Sequence, residues 1–272
     1  MNDRVRIALR RAKYTLGANV IDTTIRHTPL LDGSEAPPKI INFSGGGDYL
    51  AMGRWLSRLL QERAGLRDAE ALLDVGCGIG RLATALASEF PSLRYEGFDP
   101  VRYGISWCQK RFADKPGFTF THVDLANGFY NPRGRLDPTV FRFPYPDDSF
   151  DLIVATSVFT HIPFTEAAHY LAEMSRCLRS SGRAYVTLFL LDPGAVTAIE
   201  SGRAAIDFAS PVPNGRTAVS AQAEEAVAFE ESSLAKALSA AGLESTNFYP
   251  GRWRDDHGED FQDAWLLTRT DR

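Results

Sequence analysis

Three glycines at alternate positions, Gly76, Gly78 and Gly80, close the run LLDVGCGIGR, just where a strand-like pattern hands over to a helix-like one. Glycine admits positive φ and lets a ligand lie directly against the backbone. The start of the following helix offers unpaired N–H groups suited to an anionic group. Asp74 stands two residues before the first glycine, and Asp99 follows Gly78 by 21 residues at the end of the next apolar run. A carboxylate at Asp99 can accept hydrogen bonds from both hydroxyls of an adenosine ribose. In HVDL, Asp124 could accept from an adenine amino group, while the Leu125 N–H could donate to a ring nitrogen. The dinucleotide fingerprint G-x-G-x-x-G fits poorly, because the third glycine of GCGIG comes one position early. Asp99 alone therefore says only ribose.

These residues need elements to hold them. From Ala71 onward strands and helices alternate. ALLDVG is a strand and GRLATALASEF a helix; LRYEGFD is a strand and VRYGISWCQKRFA a helix. GFTFTHV and DLIVATSVF are the third and fourth strands, FTEAAHYLAEMSRCLRS a helix, GRAYVTLFLL the fifth strand and FEESSLAKALSAAGL the last helix. Two strands around STNFYP and FQDAWLLTR follow with no room for a helix between them, so they pair antiparallel. Alternation of this kind predicts a mostly parallel sheet with helices on both faces. Ligands of such sheets bind beyond the carboxyl ends of the strands, where the glycines stand. Upstream, NDRVRIALRRAKYTLG reads as a basic amphipathic helix, followed by a turn-rich stretch and a helix from about Tyr49 to Glu62. We expect an N-terminal helical arm or cap over 1–46 and one domain over 47–272, with an irregular insertion at about 202–228 placed to act as a lid.

Composition narrows the class. With 44% hydrophobic and 24% charged residues, the 272-residue chain has the makeup of a globular protein. The net charge of −4 disfavours a nucleic acid partner, whose phosphates call for a basic face. No apolar run approaches the ~20 residues of a membrane span, and the N-terminus does not read as a secretory signal. Cys77, Cys108 and Cys177 stand apart, which fits a reducing cytoplasm rather than a disulfide framework or structural zinc. No His, Asp and Glu cluster has metal-ligand spacing, so no metal is expected.

DVGCGIG, with GFD after the second strand and VDL after the third, resembles the class I S-adenosylmethionine-dependent methyltransferases. FPYPDDSFDLIVATSVFTHI and YLAEMSRCLRSSGRAYVTLFLL are similar to that family's fourth and fifth strand regions. The resemblance runs from about Gly47 to Arg269. It implies a Rossmann-like, doubly wound α/β fold with a seven-stranded, mostly parallel sheet and an antiparallel last strand. It also implies S-adenosylmethionine as cofactor, with its methionine carboxylate facing the amides of Gly76, Gly78 and Gly80, and Asp74 supporting the amino end. Asp99, with Pro100 beside it, would serve the ribose, and Asp124 with Leu125 the adenine. Thr156 and Ser157 would lie beside the methionine and sulfonium. For Asp74 and Asp124 the competing reading is a turn or helix-cap carboxylate.

Methyl transfer from a sulfonium is an in-line displacement. Orientation can contribute about 7–11 kcal/mol, whereas a general base adds only about 10²–10⁴ in rate, so positioning can dominate. His161 in SVFTHI falls on the ligand-facing edge and titrates near neutral pH, which suits a base; the alternative is a histidine that holds a loop carbonyl or caps the next helix. His257 and Asp263 are weaker candidates, Asp263 reading better as a satisfied turn acid. His122 is expected to pack within its strand, and His169 and His27 have no supporting neighbours. After the fourth strand Ala155-Thr156-Ser157-Val158 replaces the Asn-Pro-Pro-Tyr type of motif common in N-methylating families, which favours an oxygen or carbon acceptor. Tyr130, Asn131, Arg133, Arg135 and Arg142 in the segment 127–148 would suit a sugar or acidic acceptor, or are solvated loop residues.

The leading expectation is O-methylation of a small-molecule or glycan acceptor. A C- or N-methyltransferase of a lipid or secondary metabolite, and a catalytically silent S-adenosylmethionine-binding protein, stand as alternatives. A nicotinamide oxidoreductase is disfavoured by the glycine spacing. The N-terminal basic helix would cap the cofactor, form a homodimer arm or touch an anionic surface. SGGGDYLAMGRWL would close over the methionine end through Asp48 and Tyr49, with Asp48 otherwise a helix cap; Arg81 would orient that phrase or the substrate, or simply be exposed.

Overall fold

The computed structural model describes residues 18–27, 34–218, 226–255 and 257–270, which divide into two compact units, one up to Asp137 and one from Pro138. The predicted basic helix over the first 16 residues lies outside the described residues.

In the first unit the elements run α1 (Ala18–His27), α2 (Tyr49–Ala64), β1 (Ala71–Val75), α3 (Arg81–Glu89), β2 (Arg94–Asp99), α4 (Arg102–Arg111) and β3 (Phe118–His122). All five residues of β1 are buried, as a parallel strand covered on both faces requires. β1 pairs with β2 in parallel (Asp74 opposite Gly97), and β2 with β3 (Asp99 opposite His122), so their carboxyl ends share one edge. The Asp48 carboxylate caps α2 by accepting from the Ala51 N–H at 2.7 Å, and Gly65 ends it in the left-handed region. The stretch holding α1 reads as turn-rich in sequence. Its helix is fixed by docking on α4, where the Ser106 hydroxyl donates to Asp22 and Ile25 is buried.

The second unit holds β4 (Phe150–Ala155), α5 (Phe164–Cys177), β5 (Leu178–Leu188), β6 (Leu190–Leu191), α6 (Pro193–Glu200), β7 (Ser210–Val212), β8 (Gly215–Thr217), β9 (Val227–Glu230), α7 (Glu231–Ala241), β10 (Leu243–Tyr249) and β11 (Asp263–Arg269). Seven strands lie in the order β10-β11-β5-β4-β1-β2-β3, with β10 and β11 antiparallel to each other and β11 antiparallel to β5.

Three details depart from the sequence expectation. The helix expected to reach Ser180 stops at Cys177, and β5 begins at the next residue. A buried network holds that helix end: Arg176 is bidentate to Glu173, which also accepts the Phe143 N–H, and Arg176 donates to the Tyr145 carbonyl. The helix α6 went unpredicted, although Asp192 caps it and Pro193 occupies its first turn. The insertion is not irregular in its described part. β7 and β8 join β6 and β9 in a second sheet, over a core of Phe189, Leu191, Ala195, Phe208, Ala228 and Trp253.

Candidate functional site

The glycine loop leaves β1 with φ of +70°, +61° and +78° at Gly76, Gly78 and Gly80. A side chain at Gly80 would also place its Cβ 2.8 Å from the Cys108 sulfur, so the third glycine is required for packing as well as for conformation. The amides do not behave as expected. Gly76 and Cys77 donate to the Phe98 carbonyl, Gly80 to the Cys77 carbonyl, and Gly78 to Asp99 Oδ2 at 2.9 Å. The three glycine N–H groups are therefore engaged within the unit and do not face outward toward a carboxylate. Tyr49 grips the same loop through its hydroxyl, which donates to the Ile79 carbonyl at 2.9 Å. Phe43 and Ser44, in the phrase before α2, pack against Gly78. Arg81 reaches the Gly45 carbonyl at 3.4 Å through Nη2, while its Nε is buried with no hydrogen-bond partner among the described residues.

The acids of this edge differ in what they hold. Asp74 is 2% exposed; Oδ2 accepts from the Tyr95 hydroxyl at 2.6 Å and Oδ1 accepts from nothing among the described residues. Burial pushes its carboxyl up to about 7, opposed by the Tyr95 bond and reinforced by the nearby Asp99 charge. Asp99 accepts the N–H groups of Val101 (2.8 Å) and Gly78, and burial pushes it up to about 6 against those two bonds. Each of its oxygens keeps further acceptor capacity. Asp124 is engaged differently, accepting from Arg135 Nε at 2.7 Å and Asn131 Nδ2 at 3.1 Å, an ion pair that closes its own loop. The Leu125 N–H makes no hydrogen bond among the described residues, while its carbonyl accepts from Asn131. His122 packs at the end of β3 with its ring 3.2 Å from the Pro100 carbonyl.

In the second unit, Thr156 and Ser157 follow β4. Ser157 adopts a φ of +59°, rare for a residue with a Cβ. Its N–H donates to Thr187 Oγ1 at 2.7 Å, and the Ser157 and Thr187 hydroxyls lie 3.1 and 2.6 Å from Gln262 Oε1. Gln262 went unnoticed in the sequence. Half-buried His161 sits in the turn before α5, its N–H donating to the Val158 carbonyl.

Residues 48–247 match the protein family described as a methyltransferase domain. The chain belongs to the methyltransferase-domain family. Among known relatives, it is 32% identical over 146 residues to the 27-O-demethylrifamycin SV methyltransferase of Amycolatopsis mediterranei, covering 50% of this chain and 46% of that one. It is 28% identical over 150 residues to the fatty-acid O-methyltransferase of Mycolicibacterium smegmatis (54% and 47%). To the sterol 24-C-methyltransferase of Pneumocystis carinii it is 29% identical over 119 residues (44% and 28%). The matches thus span less than half of each relative's own length. In fold, the [4+2]-cyclase SpnF superposes with a TM-score of 0.55 at 17% identity, over 93% of this chain and 96% of that one.

The remaining candidates fall into structural places. Asp263, fully buried, accepts from the Leu190 and Gly251 N–H groups, Trp253 Nε1 and Arg254 Nη2, which makes it the satisfied acid expected. His169 lies 2.9 Å from the Phe141 carbonyl, and exposed His257 donates its N–H to Asp255. Arg142 pairs with Asp147 at 3.0 Å. The side chain of His27 lies outside the described residues. Among the described residues no helix is long and apolar enough to cross a membrane, and no three His, Cys, Asp or Glu side chains gather as metal ligands.

Proposed function

We propose that this methyltransferase transfers the methyl group of S-adenosylmethionine to a hydroxyl or carboxylate oxygen of a small-molecule acceptor, of the lipid or secondary-metabolite class. The observation that carries the reading is Asp74 Oδ1. It is a buried carboxylate oxygen with no donor among the described residues, beside a glycine loop, and a buried acceptor of this kind is costly unless something donates to it. A cationic amino group fits it. The other residues fit the same molecule: Asp99 retains capacity for two ribose hydroxyls, and the Leu125 N–H is available to an adenine nitrogen. Pro100, held through its carbonyl by His122, borders the ribose. Since the glycine amides are engaged, the role expected of them passes to Arg81, whose Nε is unpaired and whose charge suits a methionine carboxylate.

When bound, S-adenosylmethionine supplies a sulfonium methyl group. In that reading Thr156 and Ser157 would serve the sulfonium end, and His161 would accept the proton of a hydroxyl acceptor. Two of the relatives named above are O-methylating by name, which favours oxygen. Three of the five side chains that suggested a sugar are engaged locally, Asn131 and Arg135 on Asp124 and Arg142 on Asp147, which weakens the glycan reading. The sterol relative keeps carbon as the second reading.

Calorimetric titration with S-adenosylmethionine and S-adenosylhomocysteine tests the first part, and the absence of binding by both removes the assignment. Transfer of labelled methyl to dodecanoate, 27-O-demethylrifamycin SV and lanosterol, with mass-spectrometric location of the label, tests the second. Label on carbon alone would replace the oxygen reading.

A further inference from the structure

The Ser157, Thr187 and Gln262 constellation does more than the proposed methyl transfer has so far used. Its hydrogen bonds have a forced direction. The Ser157 N–H can only donate, so Thr187 Oγ1 accepts there, and its proton turns to Gln262 Oε1 at 2.6 Å. The Ser157 hydroxyl donates to the same oxygen at 3.1 Å. Two hydroxyls thus occupy the carbonyl end of the Gln262 amide and fix which way the amide faces. The backbone is held as firmly. The next residue, Asp263, is the fully buried acid with four donors. Gly251 passes so close that a Cβ there would stand 2.4 Å from the Gln262 carbonyl carbon. Ser157 meanwhile holds a left-handed backbone that costs roughly 1 kcal/mol or more and persists only where its surroundings impose it.

What remains is the Nε2 amide group. Gln262 is half-buried, and its Nε2 donates to nothing among the described residues. It stands at the edge where β4 and β5 end and β11 begins, since Asp263 pairs with Leu188. A donor oriented from every side but its own is preorganised for a ligand.

We propose that Gln262 is an acceptor-binding residue whose Nε2 donates to an oxygen of the acceptor adjacent to the atom methylated. This rests on the methyltransferase reading of the chain. The contact is to a neighbouring oxygen because a donor on the attacking atom would withdraw the electron pair needed for displacement. Gln262 therefore positions the acceptor and moves no proton.

Gln262→Glu separates the roles. The carboxylate keeps the shape and one oxygen still accepts from Ser157 and Thr187, but the donor is gone. For whichever of dodecanoate or 27-O-demethylrifamycin SV is methylated, KM should rise at least about tenfold while kcat falls less than about threefold. Methylation of lanosterol alone, whose one oxygen is its 3-hydroxyl and which offers no neighbouring oxygen, overturns the proposal. The thermal midpoint and S-adenosylhomocysteine affinity should match the wild type. An unchanged KM overturns the proposal, and so does a loss of thermal stability or of cofactor affinity, which would make Gln262 a structural clamp. If none of the three is methylated, the ¹⁵N side-chain amide signals of Gln262, identified by their loss in Gln262→Glu, decide. They must shift with at least one of the compounds, and no shift overturns the assignment. A wild-type protein that binds no S-adenosylhomocysteine sinks the cofactor reading instead, and the amide signals still decide on Gln262.

Discussion

Asp263 and Asp74 are both strand carboxylates sealed from solvent, and they are opposites. Asp263 receives four N–H donors, one from the buried guanidinium of Arg254, which also pairs with Asp192. Asp74 receives one hydroxyl, and its other oxygen has no donor among the described residues. Asp99 is intermediate, with two backbone donors and lone pairs to spare. Asp263, whose donors are all protein, holds the fold together; in the proposed function Asp74 and Asp99 keep acceptor capacity for a ligand. The count of donors, more than burial, distinguishes these three acids.

Asp263→Ala should break the comparison most severely. It leaves Arg254 and three further donors buried without their acceptor, a loss of roughly 3–5 kcal/mol in unfolding free energy, read by urea titration. Asp99→Ala should weaken S-adenosylmethionine by about 2–4 kcal/mol in calorimetry, since the ribose loses its acceptor and Gly78 its anchor. Asp74→Asn should weaken the cofactor by about 1.5–3 kcal/mol and leave stability at neutral pH unchanged or improved, because the amide oxygen still accepts from Tyr95 and no charge is buried. Equal stability losses in Asp74→Asn and Asp263→Ala would erase the distinction.

The smallest effect is a pH slope. The Asp74 carboxyl titrates near 7 in the folded chain and near 3.8 when unfolded. Between those values the folded state carries the extra proton, so stability falls as pH rises from about 4 to 7. A cation beside Oδ1 favours the ionised form, so cofactor affinity should strengthen from pH 6 to 8 with release of a proton. Calorimetry in buffers of different ionisation enthalpy measures that proton, and Asp74→Asn should lose the part of the slope near 7. Asp99, pushed up to about 6, leaves a weaker slope below it.

The parallel strands, the antiparallel closing pair and the glycine loop were legible in the sequence because each is written locally. The continuous apolar run of ALLDV and the absence of a helix's worth of residues before FQDAWLL are examples. What was not legible is long-range. The end of α5 at Cys177 depends on Arg176 meeting Tyr145, and CLRS otherwise continues a helical pattern. α1 takes its stability from Ser106 on α4. In the site, the sequence names residue types but not their partners. Nothing in VDL says that Arg135 will close on Asp124, and Gln262 is joined to Ser157 across 105 residues. Asp192-Pro193 is the exception, a helix start that the local signal did carry.

The three cysteines that looked isolated in the sequence are free and buried, and burial pushes each thiol up from its ordinary range. Thiolate, not thiol, attacks alkylating reagents. A cysteine introduced on the described surface would therefore out-react all three. A fluorophore could be attached beside the acceptor edge without first stripping the natural sulfurs, and the chain could report its own ligand binding by a change in emission.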